Sequence, residues 1–125
     1  MGNNNTAEYR KEGTGAMTKG NQATVTQGSS ITTTVICNAL TGVITTVSQT
    51  VAAGAEAEFQ VTNDKVKATD VPVVAIKTHT SAGEFIAAVT AVADGSFKIR
   101  LTNLHASNAG DNVLVLNYAV IKCEA

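Results

Sequence analysis

Tryptophan is missing from this 125-residue chain, and two tyrosines and three phenylalanines are its only other aromatic rings. Sugar sites use exposed rings for stacking, and Phe59, Phe85, Phe97 and Tyr118 mostly occupy positions that read as inward. Charge is thin and balanced, with nine basic residues against ten acidic ones and a net charge of -1. Only Arg10 and Lys11 stand together among the bases. Such a surface has no long-range field to draw a polyanion, so no nucleic-acid partner is expected. No apolar run reaches the ~18 to 20 residues needed to cross a bilayer. Met1 is followed by Gly-Asn-Asn-Asn-Thr, where a signal peptide needs a basic and then an apolar stretch. The expectation is a soluble protein made in the cytoplasm, with no membrane partner. Two isolated cysteines, Cys37 and Cys123, make neither a disulfide framework nor a zinc site. Free buried thiols are expected, and a bridge between strand ends is the alternative.

Residues with catalytic or ligating chemistry are present but do not form patterns. His79 and His105 are the only histidines and have no Cys, Asp or Glu at ligand spacing. No G-x-S-x-G elbow occurs, and Ser29, Ser81 and Ser96 all fall at turns, where serine is ordinary. The run GTGAMTKG (13–20) lacks both the Gly-Lys-Ser/Thr ending and the preceding apolar strand of a phosphate-binding loop. Asp64 and Asp111 lack the alternating carboxylates of a calcium loop and read as turn residues. No catalytic residue, metal, cofactor or small-molecule substrate is therefore expected, and the chain does not read as an enzyme.

What is abundant is Thr, Val and Ala, with apolar residues recurring at period two. That is the composition of β-structure. Eight strands are predicted at 23–27, 30–37, 42–49, 55–62, 71–78, 84–92, 96–103 and 113–122, separated by turn-forming residues. Their regular spacing indicates a β-sandwich or a barrel. Ala93-Asp94-Gly95 reads as a three-residue hairpin loop with Gly95 in the left-handed conformation. Residues 1–22 are polar and Gly-rich, with Tyr9 and Met17 as their large apolar side chains, and no helix is expected beyond a turn around 7–12. An extended arm of this composition cannot fold alone, and it is expected to act as a tether. Residues 23–125 make one β-domain, long enough to bury roughly two-thirds of its unfolded surface.

The strands differ in how many faces they hide. AEAEFQVT puts Ala57, Phe59 and Val61 inward and Glu56, Glu58 and Gln60 outward, as a strand with one wet face does. FIAAVTAVA, from Phe85, is apolar on both faces, with Phe85, Ala87, Val89 and Ala91 on one and Ile86, Ala88 and Val92 on the other. VLVLNYAVIK, from Val113, is also two-faced. ITTTVIC and GVITTV carry threonine rows suited to cross-strand pairing. A sandwich buries one face of each sheet, so the second apolar face needs cover from another subunit or from packing within the monomer. Phe85, Ile86, Val92, Leu114, Leu116, Tyr118 and Val120, with Tyr9 and Met17 of the arm, are the expected interface residues.

The stretch VKATDVPVVAIKTHTSAGEFIAAVTAVADGSFKIRLTNLHASNAGDNVLVLNYAVIK combines a V-x-V-x-x-I-K strand, a T-x-A-G turn, A-x-G-S-F, an alternating strand ending in T-N-L, and a final L-x-L-N-Y-A-V-I strand. In that order it resembles small structural proteins of tailed bacteriophages, those of cyanobacterial phages above all. The resemblance spans residues 30–122 and carries no residue-level binding motif. It implies a capsid cement or decoration protein on the virion surface, with the major capsid protein as partner. It also implies an all-β sandwich of jelly-roll or Ig-like type, with about eight antiparallel strands, in a homotrimer. A tail or fibre β-domain that binds a host surface or glycan is the alternative within the same resemblance.

Overall fold

A computed structural model describes residues 21–79, 83–110 and 113–123. The expectations for the arm, including Tyr9, Met17 and the turn around 7–12, lie outside the described residues, as does Asp111. Eight strands follow one another: β1 (Gln22–Thr26), β2 (Val35–Ile36), β3 (Thr41–Thr45), β4 (Glu56–Thr62), β5 (Val71–His79), β6 (Phe85–Ala93), β7 (Ser96–Asn103) and β8 (Leu114–Ile121). They form two four-stranded sheets, ordered β1-β3-β8-β5 (the first sheet) and β2-β4-β7-β6 (the second). Gln22, placed with the arm on composition, opens β1. The expected strand number holds, and the core joins side chains from both sheets.

The alternation that marks β4 and β7 in the sequence sets their facing. Ala57, Phe59 and Val61 pair across the strands with Leu101, Ile99 and Phe97, and all six are buried. Each large apolar side chain removed from water in this way contributes roughly 1.5–3 kcal/mol. Phe97 meets Tyr118 of the other sheet edge-on, with ring centroids 5.2 Å apart.

The pairing is not purely antiparallel, which corrects the expectation. β1 runs parallel to β3, and β2 runs parallel to β4. The first four strands alternate between the sheets, so each return lands beside the strand before last, in the same direction. Parallel neighbours need a long crossover, often a helix. Here an excursion through the opposite sheet serves instead.

The 30–37 strand shrinks to the two residues of β2, also against expectation. The Ser30 N–H donates to Thr33 Oγ1 at 2.9 Å, and the Thr33 N–H donates to Ser30 O at 3.0 Å. Gln27, buried, donates through Nε2 to Ile31 O and Thr33 O. The hydroxyls expected to form a cross-strand row close a turn on their own backbone, the usual competition between Ser/Thr side chains and a ladder. At the β6–β7 hairpin the strands close on Ala93 opposite Ser96, leaving Asp94-Gly95 as a two-residue connection in place of three. Gly95 takes φ 85°, the left-handed conformation the sequence predicts.

Three polar anchors fix the ends of the sheets. The Tyr118 hydroxyl lies 2.9 Å from Ala39 O and 3.1 Å from Cys37 O, and accepts a bond from Asn63 Nδ2. Burial raises its pKa far above that of an ordinary tyrosine. Asn103 donates through Nδ2 to Val51 O and Asn108 O and accepts through Oδ1 from the N–H groups of Glu84 and His105, so its amide is fully used. Asp70 accepts from Lys122 Nζ and from the N–H groups of Lys67 and Cys123. Burial alone would raise the pKa of Asp70, but these donors outweigh it and hold the carboxyl below its usual value.

Candidate docking face

β-bulges resolve most of the two-faced pattern. In β6 the register shifts between Val89 and Ala91, so Thr90 is extra and the faces exchange. Phe85, Ala87, Val89 and Val92 all pack on the core, while Ile86, Ala88, Thr90, Ala91 and Ala93 face out. Val92 is on the inward side, contrary to a strict period of two. In β8 the inward row is Leu114, Leu116, Tyr118 and Val120, all buried. Six of the seven described residues expected at an interface therefore pack within the chain, and Ile86 alone is exposed. The expected residues of β8 are the core-facing row of that strand. Its outer row is Val115, Asn117, Ala119 and Ile121.

That outer row belongs to a surface whose one charged side chain within the strands is the exposed Lys77 at the β5 bulge. Register places Val71 beside Ile121, Thr41 beside Ala119 beside Val73, and Thr24 beside Val43 beside Asn117 beside Ala75. Thr26, Thr45, Val115 and Thr78 continue it. None of these side chains carries a charge. Val71, Val73 and Ile121 are 47%, 47% and 51% exposed, and they adjoin one another at the β5/β8 corner. The small side chains of Ala75 and Ala119 leave a shallow open groove of about 610 Å³ across the middle of the face, floored in part by Gly42 and Tyr118. Sequence reasoning passed over this face because Val71-Pro72-Val73-Val74-Ala75-Ile76 is a third two-faced strand, and it was not counted as one.

The outer face of the second sheet exposes Ile36 and Ile86 near its β2 and β6 edges but carries ion pairs between them. Arg100 lies 3.2 Å from Glu58 and 3.7 Å from Glu56, and Thr90 donates its hydroxyl to Glu58 at 2.6 Å. The Thr90 bond lowers the Glu58 pKa against the opposing effect of burial, aided by the charges of Arg100 and Lys98. Such solvent-screened surface pairs stabilise little, but together they keep the middle of that face hydrated.

The other candidate residues stay apart. His79 packs edge-on against Phe85 at 5.5 Å, with its Nε2 buried and unpartnered among the described residues. His105 accepts through Nδ1 from the N–H groups of Ser107 and Asn108 and organises its own loop. Both cysteines are free, Cys37 buried and Cys123 half-buried. Asp64 is exposed, and its N–H is held by Asn38 Oδ1. Among the described residues no three His, Cys, Asp or Glu side chains converge as metal ligands.

A scan against protein-family models, a search of curated proteins and a search of solved structures each return no match to this chain.

Proposed function

We propose that this chain is a structural virion protein that binds the outside of a tailed-phage capsid and stabilises contacts between major capsid proteins. The observation that supports it best is the contrast between the two outer faces. One carries a cluster of ion pairs, while the other bears a single charge within its strands, Lys77, and exposes Val71, Val73 and Ile121 together. Contiguous exposed apolar surface of this kind marks an interaction site. The resemblance of residues 30–122 to phage structural proteins supplies the partner class. With it come the homotrimer, the extended N-terminal arm, the jelly-roll or Ig-like sandwich, the capsid-surface location and a non-enzymatic role. A cement protein acts by binding the assembled lattice in preference to free coat protein, so mass action raises shell stability.

Capsids of the encoding phage, prepared without this protein, provide the test. Adding the purified chain should raise their melting temperature, and Val73→Asp should abolish the rise while the variant stays folded. No shift at saturating occupancy would refute the reading. An equal shift with Val73→Asp would move the docking site off this face.

A further inference from the structure

The four edge strands are guarded very unequally. β2 has two residues and β1 five, too short to offer a long edge. β5 has nine residues, and its free edge can be assigned from the ladders. The Thr46 N–H donates to Leu114 O and the Val120 N–H to Leu40 O, which turns the even-numbered residues of β8 toward β3. Its odd-numbered residues then bond Val71, Val73 and Ala75, leaving Pro72, Val74 and Ile76 at the free edge. Pro72 has no N–H to offer there, and Lys77 follows at a bulge. Both are devices that block edge-to-edge pairing.

β6 also has nine residues, but within FIAAVTAVA there is neither proline nor charge. The Leu104 N–H donates to Glu84 O at 2.6 Å. Alternation from that bond directs Ile86 and Ala88 toward β7 and turns the N–H and C=O groups of Phe85, Ala87 and Val89 to the free edge. Among the described residues no bond from another element reaches those groups. The bulge at Thr90 interrupts only the far half of the strand.

We propose that two copies of this chain pair antiparallel along β6, about a two-fold axis at Ala87, and so continue the second sheet into one of eight strands. Two-fold pairing sets each strand against itself, so any charge inside it would repel its own copy or a near neighbour. An uncharged strand suits that partner. The axis at Ala87 places Phe85 opposite Val89 of the second copy, Ile86 opposite Ala88, and Glu84 opposite Thr90. An axis at Val89 would instead set Glu84 against Asp94, two acidic groups, which selects the first register. The exposed Ile86 gains an apolar neighbour in each copy. The proposal does not rest on the capsid reading. If the chain is also trimeric, the same contact joins two trimers.

The test is the mass of the full chain by light scattering over a range of concentrations. The expected masses are those of two or six copies. Ile86→Lys and Ala88→Glu each change an exposed side chain in both symmetric pairs, and each should weaken the β6 contact by about 10-fold and at most ~30-fold, given up to ~1 kcal/mol per cross-strand pair. Mixing the two variants should restore assembly, because the new charges then face each other. In the unaltered chain, hydrogen exchange at the Phe85, Ala87 and Val89 amides should slow as concentration rises. A monomer at every concentration, an assembly whose mass neither variant lowers, or exchange at those three amides that ignores concentration would each overturn the pairing.

Discussion

Gly42→Ala is the substitution with the sharpest expected outcome, because two effects of known size oppose each other at one atom. Gly42 has no unusual φ, so alanine meets no conformational obstacle, and replacing glycine within a strand ordinarily stabilises by roughly 0.5–1 kcal/mol. The packing decides otherwise. A Cβ built at Gly42 falls well inside contact distance of Tyr118 Cε2, 2.8 Å from its Cζ and 2.9 Å from Cys37 Sγ. The ring cannot swing aside freely, since its hydroxyl is tied to Ala39 O, Cys37 O and Asn63 Nδ2 and its edge rests on Phe97. Overpacking of this sort costs typically 1–3 kcal/mol. A net loss of about 1–2 kcal/mol is expected, or a fall of roughly 4–8 °C in melting temperature for a domain of this size. Urea unfolding followed by circular dichroism measures it. Tyr118→Phe, which frees the ring, should reduce the cost of Gly42→Ala when the two are combined, so the double variant falls short of additivity. Equal or greater stability in Gly42→Ala would refute the view that the tethered ring sets this position.

Asp70→Asn should lose about 2 kcal/mol at neutral pH, because Lys122 and two backbone N–H groups lose the charged acceptor they share. A depressed carboxyl pKa contributes stability that is present above the unfolded value of about 3.9 and lost as pH falls through the lower folded value. The gap between the variant and the unaltered chain should therefore close in acid, as a pH series of unfolding curves would show. Asn103→Ala should cost about 3 kcal/mol in the same assay, because the N–H groups of Glu84 and His105 and the carbonyls of Val51 and Asn108 all lose a partner in a buried setting.

Period-two alternation located all eight strands, since facing is a local property wherever one side is wet and the other dry. It failed where facing depended on something non-local. Thr32 to Thr34 satisfy the composition of a strand, yet Ser30 and Thr33 bond each other and Gln27 holds Ile31 and Thr33 from across the turn. The bulges in β5 and β6 leave no composition mark, because the extra residues are an ordinary Lys77 and Thr90. One unnoticed residue was enough to put Val92 on the wrong face. The parallel pairs β1–β3 and β2–β4 are a matter of which sheet a strand joins, and period two is silent on that. Leu114, Leu116, Tyr118 and Val120, expected at an interface, face the core for a related reason. A strand apolar on both faces names two candidate rows, and only the sheet it joins says which is inside.

The apolar face and the β6 edge belong to different sheets, so use of one leaves the other free. This matters because the face is small. Four strands at about 4.8 Å spacing and about five residues at 3.3 Å span roughly 300 Å² of flat area, well short of the ~800 Å² that a stable interface takes from each partner. One copy would hold a surface weakly through that patch alone. Pairing along β6 changes the geometry, because cross-strand neighbours in a continued sheet keep their side chains on the same side. The second sheets merge, both first sheets lie on one side of the merged sheet, and both apolar faces point the same way. Two weak sites facing one repetitive surface bind as a linked pair, where the second contact forms at a high effective concentration and avidity can exceed single-site affinity by about 10²–10⁴. If both proposals hold, the same arrangement would bridge two lattice positions with one sheet, and the uncharged β6 edge and the apolar corner of the first sheet would act together in clamping an ordered array.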